Sequence, residues 1–165
     1  MTASQQPPMA TPRVAAGALF FDAAGRVLLV RPSYKQGWEI PGGYVQLGES
    51  PRAACIREVQ EELGLTVDVG ALLVIDWAPA ANEGDKLLFV FDAGPLDGDR
   101  QRRIAFTDGE ITEWRFVGVE DLDDYGPDRL IRRIRTAIAA RTRGRTIYAE
   151  HGVMAGPQPE PLPQP

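Results

Sequence analysis

The stretch that most constrains this chain is residues 41–65, PGGYVQLGESPRAACIREVQEELGL. Ser50 suits a helix N-cap, Pro51 its first turn and Gly64 its C-terminal end, so the spacing predicts a helix over 51–63 with marked ends. On that helix Glu58, Glu61 and Glu62 stand at i, i+3 and i+4 and share one face. Like charges at this spacing cost a few tenths of a kcal/mol per pair. Two of the three also fall in the last turn, where the helix dipole disfavours a carboxylate by roughly 0.3–1 kcal/mol. A bound cation would reverse both penalties, whereas an acidic cluster alone is most simply a solvated face.

The surroundings decide between these readings. Ile56, Val59 and Leu63 form an apolar stripe, so one side of the helix meets a core and the other an opening. Ala53 and Ala54 are small, and Gly42 and Gly43 supply a loop able to approach the acidic face closely. Hard oxygen ligands with no His or Cys beside them suit Mg²⁺ or Mn²⁺ rather than zinc. From Gly43 the chain reads five residues to Glu49, seven more, then Arg57-Glu58-Val59-Gln60-Glu61-Glu62-Leu63-Gly64-Leu65. At every defined position this resembles the Nudix box of the Nudix hydrolase family.

Composition bounds the rest. The 165 residues are 44% hydrophobic, enough for one domain with a real core, and the formal net charge of −5 argues against broad binding to nucleic acid or anionic membranes. A phosphate substrate stays open, because a divalent cation bridges carboxylate to phosphate. The single cysteine, Cys55, excludes an intramolecular disulfide and reads as a small apolar helix residue. No run is apolar enough to span a membrane, and residues 1–12 lack a signal-peptide core, so a soluble cytoplasmic protein is expected.

In chain order, residues 1–12 read as a disordered tail, 13–145 as the domain, and 146–165 as a C-terminal segment with a Pro-rich tail. Apolar runs at 14–21 and 27–30 flank a turn and predict a hairpin. Residues 32–37 form a loop carrying Lys35 after Arg31. Both cations are candidate phosphate ligands, although such loop residues commonly just solvate the surface. Trp38 reads as a packing residue. Residues 66–78 predict one long or two short strands broken at Gly70, 86–91 a strand, 93–101 a mobile loop, and 111–119 a half-buried strand. Leu130, Ile131, Ile134, Ala137 and Ile138 predict a closing helix over about 127–142. Its Arg129, Arg132, Arg133, Arg135 and Arg141 read as a solvated face. His151 has no companion at ligand spacing. Pattern alone gives a layered α/β or α+β domain.

The resemblance implies an α/β/α sandwich on a mixed sheet. It also implies a divalent-metal-dependent hydrolase that cleaves the pyrophosphate link of a nucleoside diphosphate joined to another group. It makes Glu58 and Glu62 the principal ligands of Mg²⁺ or Mn²⁺, Glu61 a further ligand or base, and the Gly42 carbonyl another donor. Arg57 would orient the carboxylates, Glu49 would support the ligand set, and Gly43 would face the substrate. A base or an extra metal ligand from a later loop is implied. Asp108, Glu110 and Glu113 are all available there, and Glu110 is carried as the candidate. Substrates of ADP-ribose, nucleotide-sugar and oxidised-nucleotide type stay open, since Pro79 lies fourteen residues past Leu65, one short of the ADP-ribose pattern. A non-catalytic nucleotide-sugar sensor of the same fold is the alternative, disfavoured by the intact acidic positions. Because many relatives are dimers, a homodimer is possible.

Overall fold

The structure, a computed structural model, describes residues 7–156; the first half of the expected N-terminal tail and nearly all of the Pro-rich tail lie outside the described residues. In order the elements are β1 (Arg13–Phe21), β2 (Val27–Pro32), β3 (Gly42–Tyr44), α1 (Pro51–Leu63), β4 (Leu72–Trp77), β5 (Lys86–Pro95), α2 (Gly98–Gln101), β6 (Ile111–Val117), α3 (Asp128–Thr142), β7 (Ile147–Glu150) and β8 (Val153–Met154). One 3₁₀ turn, Leu122–Asp124, precedes α3. The strands form one mixed sheet in the order β6-β2-β1-β5-β4-β7-β8, with β3 also paired to β1. The helices α1 and α3 cover opposite faces, which is the α/β/α sandwich.

β1 organises the sheet. It pairs in parallel with β5, while on its other edge β3 takes residues 15–17 and β2 takes Phe21. Side chains alternate across a strand, so Ala16, Ala18 and Phe20 enter the core under α1 while Leu19 and Phe21 enter the core under α3. The β1–β2 hairpin forms where the turn sequence places it. Asp22 Oδ1 accepts from the backbone N–H groups of Ala24 (3.0 Å) and Arg26 (2.8 Å).

α1 has the ends its sequence predicts. Ser50 Oγ accepts from Ala53 N at 3.1 Å, and Gly64 at φ +67° donates its N–H to Gln60 O at 3.0 Å. Val59 and Leu63 are fully buried, worth about 2 kcal/mol each. Cys55 is sealed in the same core, and burial pushes its thiol up to about 12, so it is chemically quiet. On the opposite face of the sheet α3 buries Leu130, Ile131, Ile134 and Ala137.

Three expectations give way. Only 72–77 of the run 66–78 is a strand, because Leu65, Val67 and Val69 bury their side chains in the α1 core without joining a ladder. Residues 93–101 are not a loop: β5 continues to Pro95 beside β1, and Asp97 caps the short α2 by accepting from Arg100 N at 2.8 Å. The sheet also does not end before residue 146, since β7 pairs in parallel with β4 from Val74↔Ile147 to Trp77↔Glu150 and β8 folds back on it.

Candidate active site

At the end of β1 that β3 pairs, the glycine strand is pressed against α1. An added Cβ on Gly43 would lie 2.5 Å from the Glu58 carboxylate, and one on Gly42, at φ +150°, would lie 2.3 Å from Ala16 O. Only glycine therefore lets β3 pass between β1 and the acidic helix face. Gly42 N donates to Glu62 Oε2 at 2.9 Å. The acidic residues and the two glycines are thus brought together as one site.

Arg57 is its organiser. The guanidinium donates to both oxygens of Glu49 (Nε 2.9 Å, Nη2 2.9 Å), and Nη1 donates to Glu58 (2.8 Å) and Glu61 (2.9 Å). Its Nη2 also donates to Tyr44 O at 3.1 Å, which ties the end of β3 to the helix. These bonds hold the Arg57 pKa well above its ordinary value and the Glu49 pKa below the usual carboxylate range. Glu58, half-buried, is raised by desolvation against the pull of Arg57. Glu62 is 5% exposed, and burial pushes it up to about 8 despite the Gly42 N–H; the charges of Glu58, Glu39 and Asp108 add to the rise.

The later acids divide by position. The segment before β6 is stitched to the end of α1, with Ala105 N donating to Leu63 O (2.9 Å) and Thr107 Oγ1 to Glu61 O (2.6 Å). It carries Asp108 and Glu110, whose charges act on Glu62 and Glu58 respectively. Glu113 lies on β6, where it pairs with Arg115 and with Arg31 at 3.6 Å. Arg31 is committed to that pair and does not line the adjoining cleft, whereas Lys35 does, paired with Glu39.

That cleft, about 560 Å³, opens beside Gly42 and Gly43 on the α3 face of the sheet. Ala15 and Gly17 keep its floor shallow, Leu88 and Val90 of β5 continue it, and residues 34–40 and the start of α3 wall it. Trp38 packs edge-on to Tyr125 at 5.8 Å as well as lining the cleft. Sequence reasoning missed four groups here. Tyr34, raised to about 12 by burial and nearby acids, and Glu39, whose charge reaches both Glu62 and Arg133, come from a stretch read as loop and lead-in. Asp76 and Arg133 form a buried ion pair, Nε to Oδ2 at 2.6 Å. An acid inside the apolar run 72–78 and an arginine on the apolar stripe of α3 were the signals, and Arg133 corrects the reading of all five arginines as a solvated face.

The residues fit a divalent cation by donor chemistry: the cluster is oxygen-only, partly desolvated and anionic. Among the described residues, however, no three His, Cys, Asp or Glu side chains are gathered around one point, because Arg57 holds Glu58 and Glu61 to itself.

Fold and site together define an α/β/α sandwich whose acidic helix packs on one side of a glycine strand that also lines a cleft. The NUDIX domain matches residues 11–138, and the chain belongs to the Nudix family. It is 44% identical over 48 residues to a MutT-like protein of Streptomyces ambofaciens, covering 29% of this chain and 31% of that one. It is 27% identical over 127 residues to an RNA pyrophosphohydrolase of Roseobacter denitrificans, covering 67% and 79%. The chain therefore spans about a third of the length of the first of these relatives. The crystal structure of a MutT protein from Methanosarcina mazei Go1 superposes with a TM-score of 0.66 at 23% identity, covering 83% of this chain and 99% of that one, and shows the shared fold.

Proposed function

We propose that the protein is a divalent-metal-dependent hydrolase of a pyrophosphate linkage in a nucleoside diphosphate derivative. The observation that carries this is the contact of Glu58 and Glu62 with the backbone of Gly42 and Gly43, two residues that also line a cleft of about 560 Å³. Members of the family generally use divalent metal ions. Glu58 and Glu62, with Glu61 and the Gly42 carbonyl, would hold Mg²⁺ or Mn²⁺. Bound there, the ion neutralises phosphate charge and lowers the pKa of a water.

The chain's own residues do the rest. Arg57 fixes the direction of the Glu58 and Glu61 carboxylates, and Glu49 fixes Arg57 by a two-point grip. Glu49 is thus a positioning residue. Glu110, whose charge reaches Glu58 and whose N–H bonds Asp108, would take a proton from the attacking water, while Glu113 is occupied on β6. Gly43 and Lys35 line the cleft and would meet the phosphates of a bound substrate. No helix among the described residues is long and apolar enough to cross a membrane.

The test is hydrolysis of a panel of nucleoside diphosphate derivatives with Mg²⁺ and with Mn²⁺ by wild type, Glu58→Gln and Glu62→Gln. Each substitution is expected to lower kcat by at least about a hundredfold, the low end for loss of a group at the reacting centre. Turnover retained in Glu62→Gln would sink the assignment. A protein that bound the panel without turnover would be the sensor instead.

A further inference from the structure

The turn between β7 and β8 fits the cleft wall more closely than a sheet edge requires. His151 at φ +51° and Gly152 at φ +79° make a two-residue hairpin turn with both residues in the left-handed region. A Cβ on Gly152 would lie 2.7 Å from Arg133 N and 2.8 Å from Arg129 O, so the turn rests directly on the first turns of α3. Its polar groups are spent there. Thr136 Oγ1 donates to Gly152 O at 2.7 Å, Arg132 Nε to His151 O at 3.0 Å, and His151 N to Trp77 O at 3.0 Å. Gly152 N donates to Asp76 Oδ1 at 2.9 Å.

Asp76 has no exposed surface, and its other oxygen accepts from Arg133 Nε at 2.6 Å. A guanidinium gripped at Nε turns its Nη edge elsewhere. Among the described residues no buried side-chain nitrogen lacks a partner, so the Nη groups, which have none, open on the cleft that Arg133 lines. Because Asp76 balances the charge, the cleft meets two N–H donors on a fixed plane rather than a bare cation. Ile40, Leu88 and Leu130 line the same cleft and give it apolar wall. A planar ring with two adjacent acceptors matches such an edge. A 6-oxopurine offers O6 and N7, whereas adenine sets an amino donor against the second N–H.

We propose that Arg133, positioned by Asp76 and the Gly152 turn, is the specificity-determining residue of the cleft and selects a 6-oxopurine base over adenine. Of the substrate types the sequence left open, this favours guanine-type nucleotides over ADP-ribose. The inference rests on the proposed function for the substrate being a nucleotide. The segment that positions Arg133, residues 147–154, lies outside the family match at 11–138, whereas Arg133 itself lies within it.

The test is calorimetric binding of inosine 5′-monophosphate and adenosine 5′-monophosphate to the full chain without divalent ions, since these ligands differ at purine C6. Inosine monophosphate is expected to bind about tenfold tighter, within the range of a bidentate arginine contact. Arg133→Lys should bring the ratio to about one, and Gly152→Ala, which displaces the turn, should reduce it. Should a variant not fold, wild type with guanosine monophosphate and its 7-deaza analogue decides, the analogue binding about tenfold more weakly if N7 is read. Equal affinities in wild type, no binding of either at millimolar concentration, or an unchanged ratio in folded Arg133→Lys would overturn the proposal. A ratio unchanged in folded Gly152→Ala would overturn the positioning role. Absence of hydrolysis would sink the enzymatic reading while leaving these ratios as they are.

Discussion

At position 62 a carboxylate is enclosed with one backbone N–H as its hydrogen-bond partner, and burial holds its pKa near 8. The unfolded chain ionises Glu62 near its ordinary 4.5, so the folded protein holds the proton more tightly. Its contribution to stability is therefore fully present below about 4.5 and is lost as pH rises through about 8. Glu58 is shifted the same way, while Glu49, lowered by Arg57, contributes above its unfolded pKa and loses that contribution only at acid pH. The metal-free protein should thus show a urea midpoint that falls between pH 5 and 8, the window set by the Glu62 shift. Mg²⁺ should restore the midpoint at pH 8, and Glu62→Gln should flatten the profile. A midpoint that rose through that window in wild type would contradict the burial argument. The three acids on one face were legible from spacing, but the resolution of their repulsion was not. Arg57 reaches Glu49 and Glu58 through side-chain geometry that helical periodicity does not encode.

The elements read most clearly were those whose ends are written in residue chemistry. Ser50, Pro51 and Gly64 fix α1 by one capping oxygen, one preset φ and one left-handed residue, so its limits needed no tertiary information. Ser50→Ala removes the acceptor for Ala53 N and should cost about 1 kcal/mol, read as a lowered urea midpoint at unchanged slope. Loss of the cap should leave the base preference of the cleft intact, because α1 and Arg133 lie on opposite faces of the sheet. Strand limits were less legible. Residues 65–69 have the composition of a strand and bury alternate side chains, yet their backbone finds no ladder; pairing depends on what lies alongside, and a sequence window does not contain its neighbour. On α3 the same limit applies to Arg133, whose partner Asp76 is 57 residues away in sequence.

For the molecule as a whole, the open question at the sequence level was where the domain ends. Residues 147–154 are short and mixed in polarity, and their pairing partner β4 lies some seventy residues earlier, so nothing local marks them as sheet. In the fold they cover the free edge of β4, bury Ile147 and Ala149 against α3, and give Asp76 its second hydrogen bond. Thr146 Oγ1 adds a bond to Leu72 O at 2.7 Å. Truncation after Arg145 removes all of these at once. It opens an edge strand to pairing with other chains and leaves a buried carboxylate short of one donor. Leaving a buried acceptor without its donor costs about 1–3 kcal/mol, a sizeable share of the roughly 5–15 kcal/mol that stabilises a typical domain, and the burial of Ile147 and Ala149 is lost with it. The truncated chain is therefore expected to unfold at a lower urea concentration and to aggregate with rising protein concentration. Any folded fraction should lose its preference for inosine monophosphate, because Arg133 is then free to swing from Asp76. If the truncated protein kept both its midpoint and that preference, the hairpin would be an appendage, and the cleft would be complete within the 11–138 match.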